Sequence, residues 1–520
     1  MPSTRQPRGA RTRLLSKRLS GWAGPLAGAL AAGAAVALVS SCAVGPDFHR
    51  PPAPALPSYA RPSLAATTAA ADGAGGEAQR FVPEQELATQ WWTLFQSPPL
   101  TALIAHALQA SPTLVAAQAA LRQALELVAA QRGAFYPTLQ ASFAPSYQKS
   151  SGNLSPPLSS NELTYTFFTM QGTLSFMPDV FGGTRRQVEA LIGAAEAQHF
   201  QLEAASLTLT TSLASAAIQE ASVRAQLAAT REIIEISTQS LELTRRRFAL
   251  GDVAQLDVAA QEAALAQVQQ QLPPLQKQLE QTRNLLAALA GRFPSEPLAE
   301  TFELAGLQLP QELPVGLPAT LVAHRPDVRV AEAQLHAASA QIGVAIANRL
   351  PQFTLTAAAG GSSTALTQMF ANGNPFWSLV GNVLQPLFAG GTLRHRQRAA
   401  EAAFAQAAAQ YRSTVLSAFQ NVADALYALQ SDAEALKAAV AAEQAAKTSL
   451  DLTLRAQQLG AVTFLAVLSA QQTYRQALLT RVQAHAARLV DVVALFQALG
   501  GGWWQRPERE AAPLPVPPPS

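Results

Sequence analysis

Phe181-Gly182-Gly183-Thr184 opens a stretch without proline that runs to Leu250-Gly251, and Phe388-Ala389-Gly390-Gly391-Thr392 opens a second that runs to Leu459-Gly460. Each holds roughly 67 residues, which at ~1.5 Å per residue makes a rod of ~100 Å. An ordinary helix has ~11–12 residues, so both read as extended, coiled-coil-like helices. Their landmarks recur at an offset of 208 to 209 positions, and each is followed by another helical run, to Gly291 and to Gly500. A period this long is a duplication of half the chain and not a solenoid of short repeats.

Upstream of each rod the same order repeats. Pro112 and Pro137 bracket one Ala-rich helical segment, and Pro326 and Pro351 bracket the other. Each second proline opens a period-two run: Thr138-Leu139-Gln140-Ala141-Ser142-Phe143 and Gln352-Phe353-Thr354-Leu355-Thr356-Ala357. Such alternation gives a strand with one apolar and one polar face. The expected hairpins are 134–150 with 162–180, around a polar loop at 151–161, and 352–367 with 376–388, around Ala371-Asn372-Gly373-Asn374. The alternation blurs at Phe167-Phe168, which predicts a phase slip there. Each half reads helix, strand, loop, strand, long helix, turn, helix.

The leader sets the compartment. Arg5, Arg8, Arg11, Arg13, Lys17 and Arg18 precede an apolar stretch, and Ser40-Ser41 come just before Cys42, the one cysteine of the chain. This is the pattern of a secretory signal, residues 1–41, ending at a lipid-accepting cysteine; the competing reading is an uncleaved anchor. Ala43 in place of Asp favours the outer membrane over the inner one. Removing the leader takes away six basic residues and leaves 31 Lys+Arg against 34 Asp+Glu, net −3, so the basic pI belongs to the leader and no nucleic-acid role is indicated. Beyond Cys42 no run of ~18 apolar residues appears. Crossing an outer membrane then requires a closed β-barrel. Four strands are too few to close one, since ~8 is the minimum, so oligomerisation is required; three protomers would supply twelve strands.

Small and polar residues cover much of the rods. That favours a hollow wall of helices over a solid bundle with a dry core. Arg245, Arg246 and Arg247 end the first rod and Arg455 the second, each before a glycine. Ordinary C-capping explains this, while the position at the far tips suits contact with a partner. No catalytic constellation appears: the seven histidines are scattered, and the Gly-Gly pairs lack a phosphate-loop context. Neither enzyme activity nor a cofactor is expected. Single carboxylates on the long helices read as solvated, and the Pro-rich tail 507–520 as disordered.

Cys42-Ala43-Val44-Gly45-Pro46-Asp47-Phe48, followed by His49-Arg50-Pro51, resembles the mature start of outer-membrane efflux lipoproteins of the NodT/OprM branch of the TolC-like superfamily. Trp91-Trp92-Thr93-Leu94-Phe95, Leu350-Pro351, the two Gly-Gly-Thr turns and the run from Leu459-Gly460 to Ala470-Gln471 carry the resemblance over nearly all of 42–500. The resemblance implies an α+β membrane protein. Its homotrimer would form a twelve-stranded outer-membrane barrel, four strands per protomer, continued by a twelve-helix periplasmic α-barrel with a mixed equatorial belt. It also implies a periplasmic adaptor, an inner-membrane pump of the resistance-nodulation-division type, and a passive, gated duct for drugs or other small toxic compounds. A type I protein-secretion channel is the alternative.

The implied organisation is a signal at 1–41, a lipidated and equatorial segment at 42–97, a first repeat at 98–291, an equatorial linker at 292–317, a second repeat at 318–500 and a tail at 501–520. The adaptor-docking tips would be Leu250, Gly251, Asp252, Val253 and Leu459, Gly460, Ala461, Val462. The periplasmic gate would include Leu465. Ser469 stands where relatives often carry an aspartate and Ala466 where some carry a second, and Asp252 and Asp257 of the first copy are expected to supply acidic character in their place.

Overall fold

The computed structural model describes residues 43–506, except 55, 57, 60–64, 84, 86, 152–162 and 316–317. Cys42, the leader, most of the first hairpin loop and the tail 507–520 lie outside the described residues.

In chain order, β1 (Arg80–Pro83) precedes α1 (Pro98–Ala110) and α2 (Pro112–Arg132). The first hairpin is β2 (Thr138–Lys149) and β3 (Thr164–Phe176). It leads into α3 (Gly183–Ala249), then α4 (Gln255–Gln269) and α5 (Leu272–Leu289). The second half runs β4 (Glu312–Val315), α6 (Pro318–His324), α7 (Pro326–Ala347), β5 (Gln352–Ser363), β6 (Pro375–Leu384), α8 (Thr392–Gln458) and α9 (Phe464–Ala498). The expected order of elements is therefore present in both halves, and the two rods α3 and α8 are 67 residues each. No single helix among the described residues is long and apolar enough to cross a membrane.

Three expectations about the elements are corrected. The strands are shorter than read: residues 134–136 belong to a tight turn after α2, and 366–368 form another beyond β5. The predicted slip at Phe167-Phe168 is absent, because β3 pairs with β2 in one unbroken antiparallel register from Thr138↔Ser175 to Lys149↔Thr164. Two adjacent aromatics blur the pattern, yet each simply takes its own face. The helical run after Gly251 is not one helix. It breaks at Gln270-Gln271, because Pro273 and Pro274 offer no N–H and their rings clash with the preceding turn.

The described residues form two compact units. One holds the chain up to Phe48 with Leu127–Ile192 and His336–Phe404. It contains the four-stranded sheet in the order β2-β3-β5-β6, all antiparallel, with β2 and β6 as open edges. The other holds His49–Glu126, Gly193–Leu335 and the chain from Ala405, and contains the parallel pair β1-β4. Within this second unit the helices pack by coiled-coil spacing. On α8, Tyr411, Val415, Ala418, Val422, Ala425 and Leu429 are buried at alternating steps of four and three, the seam of a left-handed supercoil. Further along, Ala229 and Ile233 of α3 cluster with Val268, Ala446, Leu450, Tyr474 and Leu478. Burying one Leu or Ile there contributes about 1.5–3 kcal/mol. Glu220 of α3 breaks the expectation of solvated carboxylates. It is fully buried, held by Arg224 at 2.6 Å and Arg283 at 3.1 Å.

Candidate functional site

Unbroken registers align side chains across all four strands. Residues paired at Cα share a face. One face carries Leu139, Ala141, Phe143, Pro145 and Tyr147 of β2, with Phe168, Met170, Gly172, Leu174 and Phe176 of β3. It continues through Phe353, Leu355, Ala357 and Ala359 of β5 to Trp377, Leu379, Gly381 and Val383 of β6. The opposite face carries Gln140, Ser142, Ser146, Thr169, Gln171, Thr173, Thr354, Thr356, Ser378 and Asn382, together with Phe167, Phe376, Val380 and Leu384. Phe143, Tyr147, Trp377, Leu379 and Val383 are exposed. The first face is the more apolar, interrupted only by Thr166 and Ser363 near one end, and such a sheet suits lipid on that side and water on the other.

At the foot of this sheet the segment after Cys42 is clamped. Val44 N–H donates to Phe181 O, and Arg186 donates to Val44 O at 3.1 Å and Asp47 Oδ1 at 2.6 Å. Arg186, with only 6% of its side chain exposed, also pairs with Glu189, whose other oxygen meets His336 Nε2 at 3.1 Å. Phe48 stacks on His336. Burial works against the charged forms of Arg186 and Glu189, but their partners outweigh it. The Arg186 guanidinium is held above its usual range and the Glu189 carboxyl below its own. Gly45 sits at φ 100°, so close to Gly343 that a Cβ would lie 2.4 Å from its Cα. The sequence singled out Gly45-Pro46-Asp47-Phe48, but not its receptor, which lies about 140 positions away.

The two predicted tips have the same geometry. Gly251 at φ 82° and Gly460 at φ 73° end α3 and α8. Asp252 N–H reaches back to Arg247 O and Ala461 N–H to Ala456 O, both at 2.9 Å. Each tip is a Schellman cap, which needs a left-handed residue. Nothing lies within 4 Å of a Cβ added at either glycine, so backbone conformation alone selects glycine there. Leu250 is 78% exposed and Leu459 84%, and Leu256 and Leu465 are also exposed. Arg247 joins the tips: its guanidinium donates to the last carbonyls of α8, Gln457 O at 3.2 Å and Gln458 O at 3.4 Å. Only its position in a basic run hinted at this. Arg245 pairs instead with Glu262 at 2.6 Å.

The residues expected to form the gate divide. Leu465 and Ser469 lie four apart on the exposed face of α9, Ala466 is half-buried beside them, and Phe464 and Val467 point into the packing. Asp257 has a local task, since its carboxylate accepts from Ala254 N–H at 3.1 Å and caps α4. Ala254 has no side-chain acceptor to reciprocate. Among the described residues no cluster of His, Cys, Asp and Glu could hold a metal.

The fold and its two-faced sheet are those of an outer-membrane channel protein, and comparison with known proteins agrees. The description "Outer membrane efflux protein" matches residues 103–292 and 317–501. The chain is 32% identical over 441 residues to the pyoverdine export outer membrane protein OpmQ of Pseudomonas putida, covering 84% of this chain and 93% of that one. It is 28% identical over 469 residues to the toluene efflux pump outer membrane protein TtgC from another strain of Pseudomonas putida, covering 90% and 94%. The crystal structure of the outer membrane protein VceC of Vibrio cholerae superposes with a TM-score of 0.74 at 27% identity, covering 81% of this chain and all of that one. The chain belongs to the outer membrane efflux protein family. It is an outer-membrane component of efflux, as its sequence leads one to expect.

Proposed function

We propose that three copies of this chain close into one duct for small molecules. The observation that carries this reading is the largely apolar face of a sheet with two open edges. Four strands with two unpaired edges cannot enclose a pore, and an unpaired edge in lipid costs several kcal/mol per backbone group. Joining β6 of one copy to β2 of the next removes every edge and gives twelve strands. Leu387 and Phe388, both 92% exposed beside β6, support a neighbour at that edge. The long helices would then continue the duct as a twelve-helix wall in the periplasm, with α8 using one buried stripe and leaving its other faces for water and neighbouring copies, while the middle of α3 is buried on nearly all sides. The two-stranded β1-β4 pair, with residues 292–317, would belong to the equatorial belt.

The duct is passive: no chemical step is assigned to any residue, and no cofactor is needed. Energy would come from an inner-membrane pump of the resistance-nodulation-division type through a periplasmic adaptor. The matched tips, Leu250-Gly251-Asp252-Val253 and Leu459-Gly460-Ala461-Val462, offer the adaptor exposed leucines on a rigid turn. Leu465, Ala466 and Ser469, with Asp257, would form the gate, and acyl chains on Cys42 a second attachment to the outer membrane. Because the Arg186 clamp holds Ala43 and Val44 at the foot of the sheet, such a lipid would enter the bilayer beside the barrel wall. The two curated relatives named above serve pyoverdine and toluene, small molecules of unlike chemistry, which favours efflux over protein secretion and leaves cargo choice to the pump.

Purified protein should run as a heat-dissociable trimer and give discrete conductance steps in planar bilayers. Protein that stays monomeric and silent would overturn the reading.

A further inference from the structure

Two rods cut to one pattern raise a problem of partner choice within the helical unit. Counted from the tip glycines, Gly251 and Gly460, matched positions lie 209 apart. Leu213, Ala216 and Ala217 of α3 match Val422, Ala425 and Leu426 of α8, and all six are buried. Small and aliphatic side chains substitute for one another readily, so such seams accept either return helix. Apolar contact alone does not fix which helix each rod turns back onto.

Charge distinguishes the two hairpins. In the first, Glu220 of α3 is fully buried, and its Oε1 accepts from Arg224 at 2.6 Å and from Arg283 of α5 at 3.1 Å. Arg283 also donates to Leu298 O at 3.1 Å, in the chain that follows α5. The matched residues of the second hairpin are Leu429, Ala433 and Val492, all buried. In the second hairpin, Glu443 of α8 pairs with Arg481 of α9, both partly buried. The matched residues of the first are Ile234 and Leu272, and Ile234 packs on the core. Each hairpin thus joins an acid of its rod to an arginine of its return helix. The second pair lies 14 positions nearer the tip along the rod and 11 along the return helix. Those are about four and three helical turns, so the faces stay the same and the height changes. Arg245–Glu262 is a further pair in the first hairpin, but both side chains are half exposed, where such pairs discriminate weakly.

We propose that these two ion pairs form a pairing code, which keeps each rod with the return helix of its own half and away from the matching helix of a neighbouring copy. With the return helices exchanged, Glu220 would face Val492 and Arg283 would face Leu429. Glu443 would face Leu272, and Arg481 would face Ile234. Four charges would lose their partners at once. A charge buried against hydrocarbon costs more than its ion pair contributes when made, so the device acts mainly by penalising the wrong partner. Copies set side by side, as proposed above, bring the wrong partner within reach at every junction. Exchange there would link copy to copy without closing a ring.

The test trades residues between the hairpins of the full chain. Glu220→Leu with Arg224→Ala and Arg283→Val erases the first pair, and Glu443→Ile with Arg481→Leu erases the second. Gln226→Cys with Gln483→Cys reports the outcome, because these side chains meet between α3 and α9 at 3.5 Å. A short bifunctional thiol reagent joins them, and a gel of heat-dissociated protein separates links within one chain from links between chains. Gln226→Cys alone is the control for links to Cys42. Links between chains should rise roughly threefold in either variant, and further in both combined. The temperature of heat dissociation should shift by less than about 4 °C, since each replacement set is one that the other hairpin already packs. Links that stay within the chain in both variants overturn the code. So does a collapse in thermal stability with no exchange, which would make the pairs props of the fold. Glu443→Ile with Arg481→Leu touches partly exposed groups and decides alone if the first variant does not fold. Conductance enters neither readout, so a silent wild type would sink the duct reading and leave the code standing.

Discussion

The two halves of the chain share one plan and spend their charged residues differently. At the start of α3, Asp179 accepts the N–H groups of Thr184 and Arg185, both at 2.9 Å, and Arg186 is buried in the Val44–Asp47 clamp. At the matching start of α8 the carboxylate is replaced by exposed Leu387, and the cation, Arg394, faces solvent. The return helices differ as well: α4 and α5 are parted by Pro273-Pro274, whereas α9 runs unbroken for 35 residues. The first half grips its own N-terminal segment within one protomer. The second leaves the same positions uncovered, as a surface meant for another copy would be. Duplication supplied the geometry, and divergence buried one of the two matched arginines and left the other exposed.

Several substitutions can break this contrast. The largest effect is expected from Gln483→Pro, which puts into α9 the interruption that α4 and α5 already have. It should cost ~3 kcal/mol or more, read as a sharp fall in the temperature of heat dissociation, while Pro274→Ala should cost under ~1 kcal/mol. Next comes Arg186→Ala, at about 2–4 kcal/mol because Glu189 is left without its buried partner. Arg394→Ala should stay within ~0.5 kcal/mol. Equal losses for the two arginines would mean that the halves are not divided as described. Asp179→Ala should cost about 1–2 kcal/mol through two uncapped N–H groups.

Gly251→Ala and Gly460→Ala should each cost ~1 kcal/mol and match one another, since the two tips keep the same main-chain cap. The smallest effect on stability is expected from Asp257→Asn, which preserves an acceptor for Ala254 N–H at a cost below ~0.5 kcal/mol. Single-channel recording then separates its two possible tasks: lost cation block with stability intact assigns the charge to the gate, and unchanged block leaves Asp257 a helix cap.

Much of this contrast could not be read along the chain. Period-two alternation and paired prolines announce the hairpins because a strand's two faces are written in consecutive residues, and the rods announce themselves by lacking proline. The break before α5 was equally legible in Pro273-Pro274, yet the length of the surrounding helical pattern overrode it. The hidden features are those held by groups far apart in sequence: Arg186 with Asp47, Arg247 with the end of α8, Arg488 with the carbonyls of Gly75 and Glu77, and β1 with β4. Arginine on an Ala-rich helix has the same local signature whether it faces water or is wrapped in carbonyls. Only tertiary packing distinguishes Arg488, which is buried, from Arg394, which is not.

The paired glycine turns have one more consequence. Their shape is written in main-chain torsions and closed by main-chain hydrogen bonds, with empty space where side chains would be. Asp252, Val253, Ala461 and Val462 can therefore be rewritten without disturbing the frame that presents them. The surface of such a tip can change by a few letters, and an engineer could graft a recognition sequence there while the rods behind it keep their register.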